Sequence, residues 1–278
     1  MAFIVHQPLG ALGLLVIIVM CLAAAFANLV APYDPLTLDY AGLLAPPSWS
    51  HPLGTDSYGR DVFSRIIYGA RTALAVGFLS SILGSTLGAI IGVASAYFGG
   101  RTDLIIQRVM DVLLSFPIIV LALTVVAVLG KNIIFGIDIN LIIAIGVPMV
   151  PKVARVVRSS ALAIRELPYI DAARAAGFSH TRIIFRHIVP NVVAPYLIML
   201  TAFVAQAILL EASLSFLGLG VTEPTPAWGL MLSGAAIDFY QSAPWMIIFP
   251  GVAISLAVFA FNLFGDSLRD WLDPKIKL

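Results

Sequence analysis

Six runs of apolar residues, at about 9–31, 72–98, 112–130, 139–157, 191–217 and 244–264, constrain this chain more than any other feature of its sequence. Each is close to or above the roughly 20 residues that a helix needs to cross a bilayer. Hydrocarbon cannot satisfy bare peptide groups, so runs of this length fold as helices that bond their own backbone. Only 11% of residues are charged and 60% are hydrophobic, where soluble chains carry about 25% charged residues. The expectation is an all-α, six-span integral membrane protein. A net charge of +1 gives no case for nucleic acid, and no basic face with interleaved aromatics is present. The single cysteine, Cys21, lies within the first run and excludes an intramolecular disulfide.

Orientation follows from the cations, because Lys and Arg in short loops stay cytoplasmic. With the loop between the fourth and fifth runs inside, Arg101, Arg108, Lys152, Arg155, Arg158, Arg165, Arg174, Arg182, Arg186, Arg269, Lys275 and Lys277 fall inside. Arg60, Arg65, Arg71 and Lys131 fall outside. This places both termini in the cytoplasm and leaves residues 32–71 and 218–243 as outer segments. Ala25-Phe26-Ala27 resembles a signal-cleavage site, but no cation precedes it and the apolar stretch exceeds the usual 7 to 15 residues. A retained first helix, stopped by Pro32-Tyr-Asp-Pro35, is the reading.

The loop at 158–190 is the longest basic polar interval between two spans. Pro168 suits a first helical turn, Tyr169 to Ala176 are helix formers, and Gly177 supplies a stop. A second helical run over Thr181–Ile188 should end before Pro190, which disfavours helix at the preceding residue. In the outer segment, Thr55 and Asp56 are each a candidate helix cap. Asp61 and Arg65 are spaced for an i,i+4 ion pair, and Val62, Phe63, Ile66 and Ile67 share a face suited to the outer interface. For Arg60 alone a solvated surface charge is the reading, since exposed pairs contribute little.

Within the spans, Gly84, Gly88 and Gly92 recur every four residues beyond Gly77, with Ser81 and Ser85 beside them. Such a stripe admits another helix closely, either in this chain or in a second subunit. Ser115-Phe116-Pro117 favours a kink early in the third span. Lys152, Arg155 and Arg158 share a face suited to lipid phosphates or to a partner's acidic rim, lipid being the better match. Glu211 is the one clear ionisable residue within a span. Charges there usually face protein or water, which makes it a pathway candidate, although its place toward the outer end favours a structural role. Leu230–Phe239 reads as a short apolar helix, and Trp228 and Trp245 suit the interfacial aromatic belt.

These strings resemble one family. Asp171-Ala172-Ala173, Gly177 six positions later and Pro190 thirteen beyond that are similar to the "EAA" loop of ATP-binding-cassette importer permeases. Here Asp171 stands for the usual Glu, His187 for Ile and Val189 for Leu. Leu53-Gly-Thr-Asp56 with Gly59-Arg-Asp61 and Gly69-Ala-Arg71 resembles the dipeptide, oligopeptide and nickel branch of these permeases. So do Glu211-Ala-Ser-Leu-Ser-Phe-Leu-Gly-Leu-Gly220, Pro224-x-Pro226-x-Trp228-Gly229 and the tail through Asp273-Pro274-Lys275.

The resemblance implies a type I importer permease fold in a bacterial or archaeal inner membrane, with a cytoplasmic coupling helix. It implies a homologous second permease, two cytoplasmic ATPase subunits that bind ATP and Mg, and an extracytoplasmic solute-binding protein. Tyr169, Asp171, Ala172, Ala173, Arg174, Ala176, Gly177 and Phe178 are the expected ATPase contacts. Phe116, Pro117 and Glu211 are pathway or gate candidates, and Asp56, Arg60, Asp61 and Trp228 are docking candidates for the binding protein. Peptides are the implied cargo, with nickel or another small solute as the alternative.

No phosphate-cradling Gly-x-x-x-x-Gly-Lys-Ser/Thr loop occurs; Gly130-Lys131 lacks the flanking glycine. His6, His51, His180 and His187 show no metal-ligand spacing with a carboxylate. No nucleophile elbow or zinc-protease helix is present, so no catalytic residue, metal or cofactor is expected in this chain. A secondary transporter would carry several buried ionisable groups at the midplane and inverted repeats. Only Glu211 qualifies, and no repeat is apparent.

Overall fold

The computed structural model describes residues 7–134 and 136–272. His6, Pro274, Lys275 and Lys277, which entered the sequence reading, lie outside these. The described residues are mostly helical. Five helices are long and apolar enough to cross a membrane, or up to six if one sharply bent pair forms a single span.

The first span is α1 (Pro8–Ala25), followed by the short α2 (Ala27–Val30). A long outer segment then leads into α3 (Val62–Phe98), whose 37 residues run without a break. At 1.5 Å per residue α3 is about 55 Å long, well beyond the roughly 30 Å of hydrocarbon. The outer-interface helix and the second span expected from the sequence are therefore one rod. Neither Thr55 nor Asp56 caps it. Asp61 does, its carboxylate accepting the Ser64 N–H.

Gly99 (φ 63°) and Gly100 (φ 54°) turn the chain into α4 (Gly100–Ser115). The third apolar run, 112–130, is not one helix. It breaks at Phe116-Pro117, and α5 (Ile118–Leu129) leaves at 97° to α4. Phe116 and Pro117 are both extended (ψ 138° and 133°), so the ring's steric demand is met by leaving the helix rather than by bending it. A two-residue ribbon, β1 (Ile133–Ile134) with β2 (Ile137–Asp138), then delivers the chain to α6 (Ile139–Gly146). A 3-10 turn at Val147–Met149 absorbs Pro148, and α7 (Val150–Arg165) completes the fourth span.

Beyond α8 (Pro168–Ala175), α9 (His180–Ile183) continues through a π-helical turn, Ile184–Ile188, into α10 (Val189–Phe216). The helix thus passes Pro190 instead of ending before it. A wider turn precedes the proline and relieves the ladder at the N–H that it lacks. Two short turns, α11 (Trp228–Met231) and α12 (Ala235–Asp238), replace the single helix expected over Leu230–Phe239, because the chain reverses at Gly234 (φ 56°). The last span, α13 (Trp245–Leu272), runs past Phe264.

Two clusters hold the bundle. One joins Ile17 and Ala24 of α1, Ala73 and Leu74 of α3, Val204 and Ile208 of α10, and Ile254, Ala257 and Phe261 of α13. The other joins Val93, Ala96 and Tyr97 of α3 with Ala122, Ile145, Met149, Val153, Val157, Phe203 and Leu214. Its continuation beneath the basic loop includes Ile170 and Ile183. Large apolar side chains such as Leu9, Leu15, Ile90, Val128 and Phe259 point outward, as a lipid-facing surface requires.

The glycine stripe finds its partner within the chain. A Cβ at Gly84 would lie 2.5 Å from the Gly146 carbonyl, at Gly88 2.7 Å from that of Val150, and at Gly92 2.5 Å from that of Ala154. Glycine is thus required by backbone contact between α3 and the fourth span. Gly77 packs instead on Ile208 of α10, and Ser81 donates to the Leu200 carbonyl at 2.6 Å. The face of α7 that reads as lipid-binding is likewise committed internally. Arg158 donates to Asp103 of α4 (Nε to Oδ1, 2.6 Å) and Arg155 pairs with Asp111, while Lys152 stays exposed.

Candidate functional site

The helical hairpin of the 158–190 loop begins where Leu167 ends its extended approach and Pro168 opens α8. Two side chains of α8 face inward: Ile170 is fully buried and Ala173 is 5% exposed. They sit on the same cluster as Val157, Ala161 and Ile183. Tyr169, Asp171, Ala172, Arg174 and Ala176 turn outward, and Arg174 donates to Asp171 at 3.1 Å. Gly177 adopts φ 75°, with open space where a side chain would go. Left-handed backbone of this kind is accessible to glycine at little cost.

The hairpin is braced on three sides. Phe178 is covered by the Arg182 guanidinium at 3.9 Å and stacks on His187 at 6.2 Å between centroids. The Tyr97 hydroxyl meets His180 Nδ1 at 2.7 Å. Arg165 donates to the Ala96 carbonyl at 2.7 Å. These contacts tie the residues on either side of α8 to α3 and to the π-helical turn, while α8 itself is held through Ile170 and Ala173.

The outer docking candidates are built differently. Asp56, Arg60, Asp61 and Trp228 are all buried, between 2% and 7% exposed. They shape the outer surface from beneath and do not form it. Asp61 is occupied by the cap, by the Ser64 hydroxyl at 2.7 Å and by His51 Nδ1 at 3.0 Å. It makes no pair with Arg65, contrary to the i,i+4 expectation. Arg65 is 1% exposed and donates to Glu223 at 3.4 Å and to the Pro35 carbonyl at 3.3 Å.

Arg60, far from a solvated charge, donates to Asp56 at 2.6 Å and to Glu223 at 2.8 Å. Burial works against its cation, but the hydrogen bonds to Glu223 and Asp56 outweigh it and raise the guanidinium pKa above its ordinary value. The Trp228 indole N–H donates to the Ile66 carbonyl and that of Trp245 to Thr55, each at 2.9 Å. Trp228 thus ties the 218–243 segment to α3, and Trp245 ties the start of α13 to the segment that precedes α3. Glu223 joins the two outer segments and is absent from the sequence-level candidates. Its place directly before Pro224-x-Pro226-x-Trp228 was the available signal.

Glu211 is 1% exposed in α10. The Ser215 hydroxyl donates to it at 2.6 Å and in turn accepts the Val221 N–H at 3.0 Å. The carboxyl thereby orders the turn that leaves α10, which is the structural side of its two sequence readings. Phe116 and Pro117 occupy the break between α4 and α5, with Phe116 half exposed. Among the described residues no group of three His, Cys, Asp or Glu side chains is placed to hold a metal.

Comparison with known proteins agrees with this geometry. Residues 64–278 match the family described as binding-protein-dependent transport system inner membrane component. Residues 4–47 match the N-terminal TM domain of oligopeptide transport permease C. The chain is 44% identical over 271 residues to the dipeptide transport system permease protein DppC of Alkalihalophilus pseudofirmus, covering 98% of this chain and 87% of that protein. It is 43% identical over 273 residues to the glutathione transport system permease protein GsiD of Escherichia coli, covering 98% and 88%.

Among solved structures, the inward-facing MetNI methionine ABC transporter matches with a TM-score of 0.58 at 18% identity, over 76% of this chain and 97% of that one. An amino acid ABC transporter crystallised with histidines matches at 0.50 and 17%, over 76% and 95%. At those identities the likeness concerns the fold. Taken with the family match over most of its length, these findings make the chain a member of the binding-protein-dependent transport system inner membrane components, a permease of an ABC importer.

Proposed function

We propose that this permease pairs with a homologous second permease to form the pathway for short peptides. An extracytoplasmic solute-binding protein delivers them, and two cytoplasmic ATPase subunits supply ATP binding and hydrolysis with Mg. The peptide reading is supported by relatives named for dipeptide and glutathione transport and by the oligopeptide-permease N-terminal match. In this reading both termini and the α8 hairpin are cytoplasmic.

The observation that carries the mechanism is the construction of α8, anchored by Ile170 and Ala173 and presenting Tyr169, Asp171, Ala172, Arg174 and Ala176 outward. ATP-driven closure of the ATPases moves α8, and the braces to Ala96, Tyr97 and His187 pass that motion to the spans. Alternating access follows from two bundle arrangements biased at one end.

Gly177 supplies the test. Its Cβ position is open, so Gly177→Trp starts into free space, although its left-handed backbone strains any side chain. ATP-driven uptake by vesicles holding the complete importer should fall to background while assembly with the ATPases persists. Unchanged uptake with normal assembly overturns the coupling role.

A further inference from the structure

At the outer ends of the spans, a cavity of about 330 Å³ lies between the start of α3, the β1–β2 ribbon with α6, and the turn after α10. Its size falls within the roughly 300–1,000 Å³ of small-molecule sites. Most of its wall is apolar, from side chains such as Val76, Ile137, Leu141 and Val221. Two lining groups of opposite charge have capacity to spare. Lys131 forms no ion pair or hydrogen bond with a described residue. Asp138 uses Oδ1 alone, accepting the N–H groups of Asn132, Asn140 and Leu141, which leaves Oδ2 unspent among the described residues. The two are not paired with each other. Arg71, by contrast, is committed to the carbonyls of Ala24 and Ala25.

Two walls of the cavity are held by hydrogen bonds. The Glu211–Ser215–Val221 relay fixes one wall, and the Thr72 hydroxyl ties α3 to the Pro226 carbonyl at 2.9 Å. A single spare carboxylate oxygen beside two cations repels a bare metal ion, whereas separated charges of both signs suit a ligand carrying both. We infer that this cavity is a transit site for a small zwitterion, its carboxylate on Lys131 and its ammonium near Asp138. The inference rests on the peptide reading above and gives it a site within this chain.

The test uses radiolabelled dialanine and the complete importer in vesicles, with the binding protein saturated. Lys131→Gln should lower maximal dialanine uptake about tenfold, the scale of one lost charge-assisted hydrogen bond, and Lys131→Arg should retain it. ATP hydrolysis stimulated by the loaded binding protein should be unchanged in both, since no residue of α8 lines this cavity. Equal uptake by Lys131→Gln overturns the site while leaving the peptide reading intact. Loss of the second permease from the Lys131→Gln complex overturns it as well, by making the cavity a seat for that subunit. No dialanine uptake by the unaltered importer removes the peptide reading and the site together.

Discussion

Asp56 shows how much a single outer carboxylate can organise. It accepts the N–H groups of Tyr58 and Arg60 at 2.8 and 2.9 Å and the Arg60 Nε at 2.6 Å, with Arg65 Nε at 3.8 Å. Removing one partner of a buried charge network leaves the other charges unanswered, at a cost of about 3 kcal/mol. Asp56→Ala should lower the melting temperature of the detergent-solubilised permease accordingly, measured by thermal scanning, and Asp56→Asn should lose less because the backbone bonds survive. Local sequence showed that capping residues crowd this segment, but not which one caps. Thr55 is drawn off by the Gly42 carbonyl and the Ala45 N–H and Asp56 by Arg60, which leaves Asp61. Arg60 read as solvated because its second partner, Glu223, lies 163 residues away, beyond the reach of any spacing rule.

Elements were legible where one residue type forces one outcome. Pro168 at the start of α8, Gly177 after its end and the four-residue glycine spacing in α3 all appear as read. The structure adds which helix fills the stripe. Gly88→Leu should force α3 away from Val150 and Val153, and overpacking of this kind costs about 1–3 kcal/mol or more. Its measure is the yield of monodisperse permease after mild solubilisation, expected to drop sharply, while the same change at Gly251, which faces open space, leaves yield intact. What could not be read was the degree of each proline's effect. Pro117 ends a helix outright and Pro190 is carried through. Hydrophobicity alone cannot separate these outcomes, which differ in the backbone turn that precedes each proline.

For the molecule as a whole, five of the six apolar runs were visible in hydropathy as helices long enough to span, because the bilayer sets a length that composition reports directly, while the third is split at Phe116-Pro117. Their pairing was not, since α3 and α10 each serve both packing clusters. The cation count bears on orientation and makes a direct prediction. In a Cys21→Ser background, Ala172→Cys should react with a membrane-impermeant maleimide only from the cytoplasmic side, and Tyr240→Cys only from outside, as read by labelling intact cells against inverted vesicles. Both residues are exposed, so silence from either is informative. The wide turn at Ile184–Ile188 has a geometric consequence for this arrangement. It acts as a one-residue shim in an otherwise stiff rod, and each residue of helix sets an azimuth of about 100°. Shortening the shim by one position would swing α8 around the rod's axis, so the bearing of α8 relative to α10 is set by a single extra backbone unit.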